Sequence, residues 1–324
     1  MKSRFRAVAV AGLKRGLTGY LWILKILVPI SFATALLTWS GWLYKLDFLV
    51  QPVMGLLQLP ASAALPLIIG ILTGIYGAIA AMSVLPLTVD QMTLVAIFLL
   101  ISHNLIQESV VQGQSGLNPV VAGFFRLAVS LVVTSVCALI LQPGPPVAFQ
   151  TGIPGDALAR AATAGVMFGA WLSSMGGLAL KIFTIIMPLM MCLEIMKAYR
   201  LIDHVVALTR PVLSILGLDR SMGFLWLTAA VFGLTYGAAV IVEETRANSF
   251  EKSDLARLHL SIGINHAMIE DPALFLPLGI LPVWLWIPRL TAAVIAIYSI
   301  HLFNGIGGRL HAARTGHKKL CNHQ

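Results

Sequence analysis

Ser102-His103-Asn104-Leu105-Ile106-Gln107-Glu108 returns later in the chain as Asn265-His266-Ala267-Met268-Ile269-Glu270-Asp271. Working outward, the neighbours return as well. Tyr76-Gly77-Ala78 is matched by Tyr236-Gly237-Ala238, and Leu49-Val50-Gln51-Pro52-Val53 by Leu208-Thr209-Arg210-Pro211-Val212. Leu24-Lys25-Ile26 pairs with Leu180-Lys181-Ile182. On the far side, Pro119-Val120 and Arg126-Leu127 pair with Pro282-Val283 and Arg289-Leu290. The blocks keep their order, so residues 24–127 recur at 180–290 with an offset that drifts from 156 to 163. An internal duplication in an apolar chain is the mark of pseudo-symmetric transporter folds, whose substrate sits where the halves meet.

Composition fixes the solvent. Hydrophobic residues make up 58% of the chain, charged residues 11%, and mean hydropathy is +0.88. A soluble domain carries about a quarter charged residues. The apolar runs here are long enough to cross a bilayer, which takes about 20 residues each. Cys137, Cys192 and Cys321 show no pairing or metal-ligand spacing, so neither a disulfide framework nor a zinc motif is expected. The net charge of +9 does not imply nucleic acid, because of where the charges lie. Lys2, Arg4, Arg6, Lys14 and Arg15 precede the first span, and Arg309, Arg314, Lys318 and Lys319 follow the last, a pattern that orients a membrane protein. The first apolar run is long and lacks a small-x-small cleavage site, so it reads as a retained span.

The pattern predicts an all-α integral membrane protein in five segments. These are a basic cytoplasmic N-terminus (1–16), a first repeat (17–141), a Pro/Gly-rich connector (142–162), a second repeat (163–303) and a basic cytoplasmic tail (304–324). In the first repeat, spans are expected at about 17–39, 90–108 and 119–141, with an amphipathic segment at 41–58 and a glycine-broken apolar stretch at 62–87. The second repeats the order: a span within 163–197, an amphipathic segment at 199–217, a broken stretch at 221–243 and spans at 253–271 and 280–303. Whether 62–87 and 221–243 cross decides the topology. If they cross, the halves are parallel and Arg200, Arg210 and Arg220 lie outside. If they are re-entrant hairpins, each half has three spans, the halves are inverted, and only Lys45 and Arg160 stand outside the membrane on the non-cytoplasmic face. The second arrangement obeys the positive-inside rule, and Gly70, Gly74, Gly77, Gly233 and Gly237 allow the backbone to turn. Gly70-x-x-x-Gly74 also reads as a small-residue face for helix packing.

Ionisable groups inside a membrane cost a few kcal/mol each and mark a pathway or a pair. On a continuous helix His103 shares a face with Gln107, and His266 with Glu270, while Glu108 and Asp271 point about 100° further round. His103, Asn104, Gln107, Glu108, Asn265, His266, Glu270 and Asp271 are therefore the expected solute-binding set. A histidine beside a carboxylate suits proton coupling or cation coordination. The plain alternative places these groups at span ends, satisfied by water. Tyr76, Gly77, Thr235, Tyr236 and Gly237 lie in the broken stretches, where free backbone groups and a phenol suit a polar substrate; aromatic packing explains the tyrosines equally well. Glu243 and Glu244 lack counterparts in the first half and read as a solvated turn. Arg126 and Arg289 are expected either to pair with Glu108 and Asp271 or to bind an anion. Lys25 is expected to snorkel, and Met187, Met190, Met191 and Met196 to fill apolar interfaces.

The paired Gly-rich stretch followed by a polar-interrupted span resembles the gate, or nucleoside-recognition domain, family. That family includes the spore maturation proteins A and B and the gate regions of the ferrous iron transporter B proteins, with a distant likeness to concentrative nucleoside transporters. The resemblance implies an amphipathic helix, a hairpin, and a span unwound at its polar motif. Gly74-Ile75-Tyr76-Gly77-Ala78 and Leu234-Thr235-Tyr236-Gly237-Ala238 would stand at the hairpin tips, with His103 and His266 at the unwound turns. Ala78 and Ala238 replace the cysteine of the iron-transporter gates, and no Gly-x-x-x-x-Gly-Lys-Ser/Thr loop is present, so neither a thiolate-lined iron path nor a GTPase is expected. The functional expectation is a non-enzymatic, multi-pass permease of a bacterial inner membrane, with both termini cytoplasmic and no cofactor. Its expected partners are the lipid bilayer, a small polar or ionic solute and, in some assemblies, a second copy of the chain. A non-transporting scaffold that acts through a protein partner is the rival expectation. An intramembrane hydrolase is the third, although no nucleophile motif appears.

Overall fold

The computed structural model describes residues 2–42, 47–114, 116–144, 163–199, 213, 215, 218, 220–233, 240–244 and 250–299. Every regular element among them is helical. In chain order these are α1 (Lys2–Trp39), α2 (Asp47–Leu56), α3 (Ala64–Thr73), α4 (Ile75–Met82), α5 (Val89–Ser102), α6 (Leu105–Gln114) and α7 (Pro119–Leu141), followed by α8 (Ala164–Ala198), α9 (Arg220–Phe232), α10 (Lys252–Asn265), α11 (Glu270–Phe275) and α12 (Pro282–Ser299). Five stretches are long and apolar enough to cross a membrane: Arg6–Trp39, Val89–Gln114, Pro119–Leu141, Ala164–Met196 and Pro282–Ser299. This is a multi-pass membrane protein.

Local chemistry sets several boundaries. Thr88 and Gln91 form a reciprocal capping box at the start of α5, with Asp90 in the first turn, so two orphan backbone donors are satisfied and the helix dipole is complemented. Asn118 caps α7 ahead of Pro119 at its first position, where a proline loses no hydrogen bond. The basic N-terminal stretch expected as a separate segment is the first part of α1. Of the connector, 142–144 is described and 145–162 lies outside the described residues, as do 300–324 and most of 199–217.

The equivalent helices of the two halves, α1 and α8, pack along each other. Gly12 lies against the Met191 backbone, Tyr20 stacks edge-on with Phe183 at 5.1 Å, and Trp171 Nε1 donates to Ser31 Oγ at 3.0 Å. Residue numbers rise on one helix as they fall on the other, so the pair is antiparallel. Each carries an internal proline, Pro29 and Pro188. Lys25 and Lys181 are exposed on this pair, in keeping with snorkelling, and Lys181 Nζ reaches Pro277 O at 3.5 Å. α7 turns Phe124, Leu139 and Ile140 outward, as expected where lipid is the neighbour.

Both expected breaks are present. Gly74, at φ 100°, separates α3 from α4, and its N–H donates to Gly70 O. At ten and eight residues, each of these helices is too short to cross alone. In the second half the break falls at Gly233, φ 83°, whose N–H donates to Ala229 O. That is one residue before the Leu234 expected from the Tyr-Gly-Ala match, so an insertion separates break from tyrosine. Residues 234–239, including Thr235, Tyr236 and Gly237, lie outside the described residues.

Candidate functional site: two broken helices facing each other

The two duplicated motifs are not helical throughout. α5 ends at Ser102 and α6 restarts at Leu105; α10 ends at Asn265 and α11 restarts at Glu270. His103 and His266 occupy the same extended conformation at the helix ends, with ψ 159° and 160°. The next residues, Asn104 and Ala267, take left-handed φ values of 46° and 45°. A broken helix leaves carbonyls without partners, and an arginine from the following span supplies the donors. Arg126 Nε donates to Ile101 O at 2.8 Å and its Nη2 to His103 O at 3.0 Å. Arg289 makes the same pair of bonds, to Ile264 O at 2.9 Å and His266 O at 2.7 Å. Both arginines are fully buried. The freed N–H groups turn to the other broken stretch: Asn104 N donates to Gly70 O, Ala267 N to Ala229 O and Met268 N to Ala230 O.

Unwinding changes which side chains meet. The expectation that Gln107 shares a face with His103 holds only for an unbroken helix, and Gln107 is exposed. Glu108 is the residue carried inward. It faces His103 Nε2 through Oε1 at 3.3 Å, while its Oε2 lies 3.2 Å from His266 Nε2 and 2.6 Å from Arg126 Nη2. Likewise Asp271, rather than Glu270, points at the opposing motif, with Oδ2 3.4 Å from His103 Nε2. The two imidazoles lie 4.9 Å apart. His103, Glu108, His266 and Asp271 are 5%, 6%, 1% and 9% exposed, so the alternative of span-end groups satisfied by solvent does not describe them.

The remaining candidates surround this chain of four. Glu270 accepts a hydrogen bond from Tyr76 Oη at 3.0 Å, which links the first broken stretch to the second motif. Tyr76 also stacks edge-on with Trp22 at 5.3 Å. Gly77 is buried behind Thr73 and Ile69. The Asn104 side chain lies beside Gly74. Asn265 is buried and makes no side-chain hydrogen bond within the described residues. The expected Arg126–Glu108 pair is present; among the described residues Arg289 has no carboxylate in ion-pair contact and caps carbonyls alone. Sequence reasoning gave the arginines ion pairing or anion binding and missed their carbonyl capping, although both follow their histidine by the same 23 residues. Glu243 is exposed. Among the described cysteines, Cys137 is buried and Cys192 exposed, both free.

Comparison with known proteins gives a relative and a partial family match. The chain is 29% identical over 296 residues to the "Uncharacterized membrane protein YvoD" of Bacillus subtilis (strain 168), covering 91% of this chain and 94% of that protein. No solved structure matches. Residues 20–113 match the Gate family, described as nucleoside recognition, a stretch that runs from α1 through the first broken stretch and His103 to the end of α6. By its spans and its membrane-protein relative, this chain is a multi-pass membrane protein, and its residues 20–113 are similar to the Gate family.

Proposed function

We propose that the protein is a permease that moves a small polar or ionic solute through a midplane site between two inverted repeats. In this reading each repeat has three spans and one re-entrant hairpin, the termini are cytoplasmic and the bilayer is a bacterial inner membrane. The antiparallel packing of the equivalent helices α1 and α8 supports inversion, because equivalent helices run oppositely when the repeat axis lies in the membrane plane. The short helices on either side of Gly74 support re-entry. One observation carries the function: corresponding helices break at His103 and His266 and turn two histidines and two carboxylates towards each other in the protein interior. Non-helical backbone at membrane depth is tolerated where it is enclosed by protein or lines a cavity, and intramembrane ionisable residues mark solute paths.

His103, Glu108, His266 and Asp271 would contact the solute. Asn104, Asn265, Glu270 and Tyr76 would position them, with the Gly77 backbone and, in the second repeat, Thr235, Tyr236 and Gly237 beside them. The test is uptake into liposomes containing the purified protein, with a panel of nucleosides, divalent cations and organic acids. A solute whose flux is abolished by His103→Gln and by His266→Gln, yet unchanged by Gln107→Ala, supports the reading. Absence of flux for the whole panel, together with a protein partner recovered by pull-down and lost in the histidine variants, would favour a scaffold instead.

A further inference from the structure

Each central histidine commits one ring nitrogen to the backbone. His103 Nδ1 lies 2.8 Å from Leu99 O and His266 Nδ1 lies 3.1 Å from Ile262 O. A carbonyl oxygen only accepts, so in both rings Nδ1 carries a proton, and in the neutral ring Nε2 presents a lone pair. Those lone pairs face further acceptors: Glu108 Oε1 at 3.3 Å and Asp271 Oδ2 at 3.4 Å from His103, and Glu108 Oε2 at 3.2 Å from His266. Acceptors opposed at this distance, away from water, repel one another unless a positive species lies between them. His266 Nε2 and Asp271 Oδ2 are buried and make no hydrogen bond within the described residues.

We propose that His103, Glu108, His266 and Asp271 form a binding site for one divalent transition-metal ion of the zinc class. The spacing fits: a tetrahedral site with bonds of about 2.0–2.1 Å sets its ligand atoms about 3.3–3.4 Å apart. The ligating atoms of His103, Glu108 and His266 lie within 4.8 Å of one another, so a small inward rotation of the imidazoles closes these three, and Asp271, whose Oδ2 lies 3.4 Å from His103 Nε2, completes the set by turning further inward. The Nδ1–carbonyl bonds are the outer contacts that orient metal-binding imidazoles and fix their tautomer. Two imidazoles with two carboxylates suit zinc, cobalt, nickel or ferrous iron better than calcium or magnesium. Arg126 holds Glu108 by Oε2, the oxygen that also faces His266, and leaves Oε1 free towards His103, so it orients the carboxylate while one oxygen stays open to an ion.

Charge points the same way. The charged groups in and beside the cluster are Glu108, Glu270 and Asp271, with Arg126 paired to Glu108 and Arg289 capping carbonyls, which leaves one negative charge in excess when all five are ionised and both rings are neutral. One divalent ion and two ring protons produce the same final charge, so the ion can replace the protons without an electrostatic difference. The inference deepens the permease reading by naming the cargo or coupling ion, and it rests on that reading for the ion's passage though not for its binding.

The experiment is a cobalt(II) titration of the purified full-length protein in detergent, read by visible absorption, with zinc as competitor. One cobalt per chain is expected, with the intense spectrum of a four-coordinate ion, bleached by zinc. His266→Gln and Asp271→Asn should each weaken binding on the order of 100-fold or more, and Gln107→Ala should leave it unchanged. X-ray absorption at the zinc edge of the unmodified protein keeps the proposal testable if the variants do not fold: two imidazole and two oxygen ligands are expected. No binding, binding that survives in folded His103→Gln and His266→Gln variants, or a ligand set without carboxylate overturns it. Metal bound at this site with no flux of any solute would overturn the permease reading instead, whereas flux of an organic solute without metal binding would overturn only this proposal.

Discussion

Removing Arg126 separates the two tasks that its duplicate, Arg289, performs only in part. Both guanidiniums cap two carbonyls of a broken helix, but Arg126 also holds Glu108 at 2.6 Å. Arg289→Met leaves two buried carbonyls without donors, at about 1–2 kcal/mol each, or roughly 2–4 kcal/mol together. Arg126→Met does the same and also strands a buried carboxylate, which adds about 3 kcal/mol. The two variants should therefore differ by about 3 kcal/mol in unfolding free energy. Reversible unfolding in mixed detergent–SDS micelles, followed by tryptophan fluorescence, measures it. Adding Glu108→Gln to Arg126→Met should recover most of the difference, since a neutral amide tolerates burial better than a lone charge. Two methionine variants within about 0.5 kcal/mol of each other, or a second loss on adding Glu108→Gln, would refute the assignment of Glu108 as the charge that Arg126 neutralises.

Two further outcomes use the same unfolding assay. Gly74→Ala forces a side chain onto a backbone at φ 100° and brings its Cβ within 2.9 Å of Asn104 Nδ2, so it should cost about 1–3 kcal/mol. Gly55→Ala meets nothing within 4 Å and should cost nothing measurable. Tyr76→Phe keeps the edge-on contact with Trp22 and loses the bond to Glu270 at 3.0 Å, at about 1.5–3 kcal/mol for a charged acceptor. In a double-mutant cycle, Tyr76→Phe and Glu270→Gln should show coupling of about 1 kcal/mol or more, and additive losses would show that the two are not partners.

The sequence by itself determined the solvent and the repeated order of the motifs, because hydropathy and order are one-dimensional properties; of its six expected spans, five are long and apolar enough to cross, while 253–271 falls on the shorter, charge-bearing helix α10 and its broken end. It also singled out His103, Glu108, His266 and Asp271, since ionisable side chains inside apolar runs stand out wherever they fall. What it could not supply was their direction. Helical periodicity paired His103 with Gln107 and His266 with Glu270, yet the inward groups are Glu108 and Asp271. Neither break at 103–104 or 266–267 contains a glycine or proline; only the family resemblance pointed to unwinding there, and although asparagine tolerates the left-handed φ of Asn104, Ala267 adopts it without a local signal. Those conformations persist because distant groups satisfy the backbone they expose. Arg126 and Arg289 reach back 23 residues to the loose carbonyls, and the other broken stretch accepts the loose N–H groups. Such bonds exist only once the spans have packed, so the tertiary structure alone decided which faces of the two motifs meet.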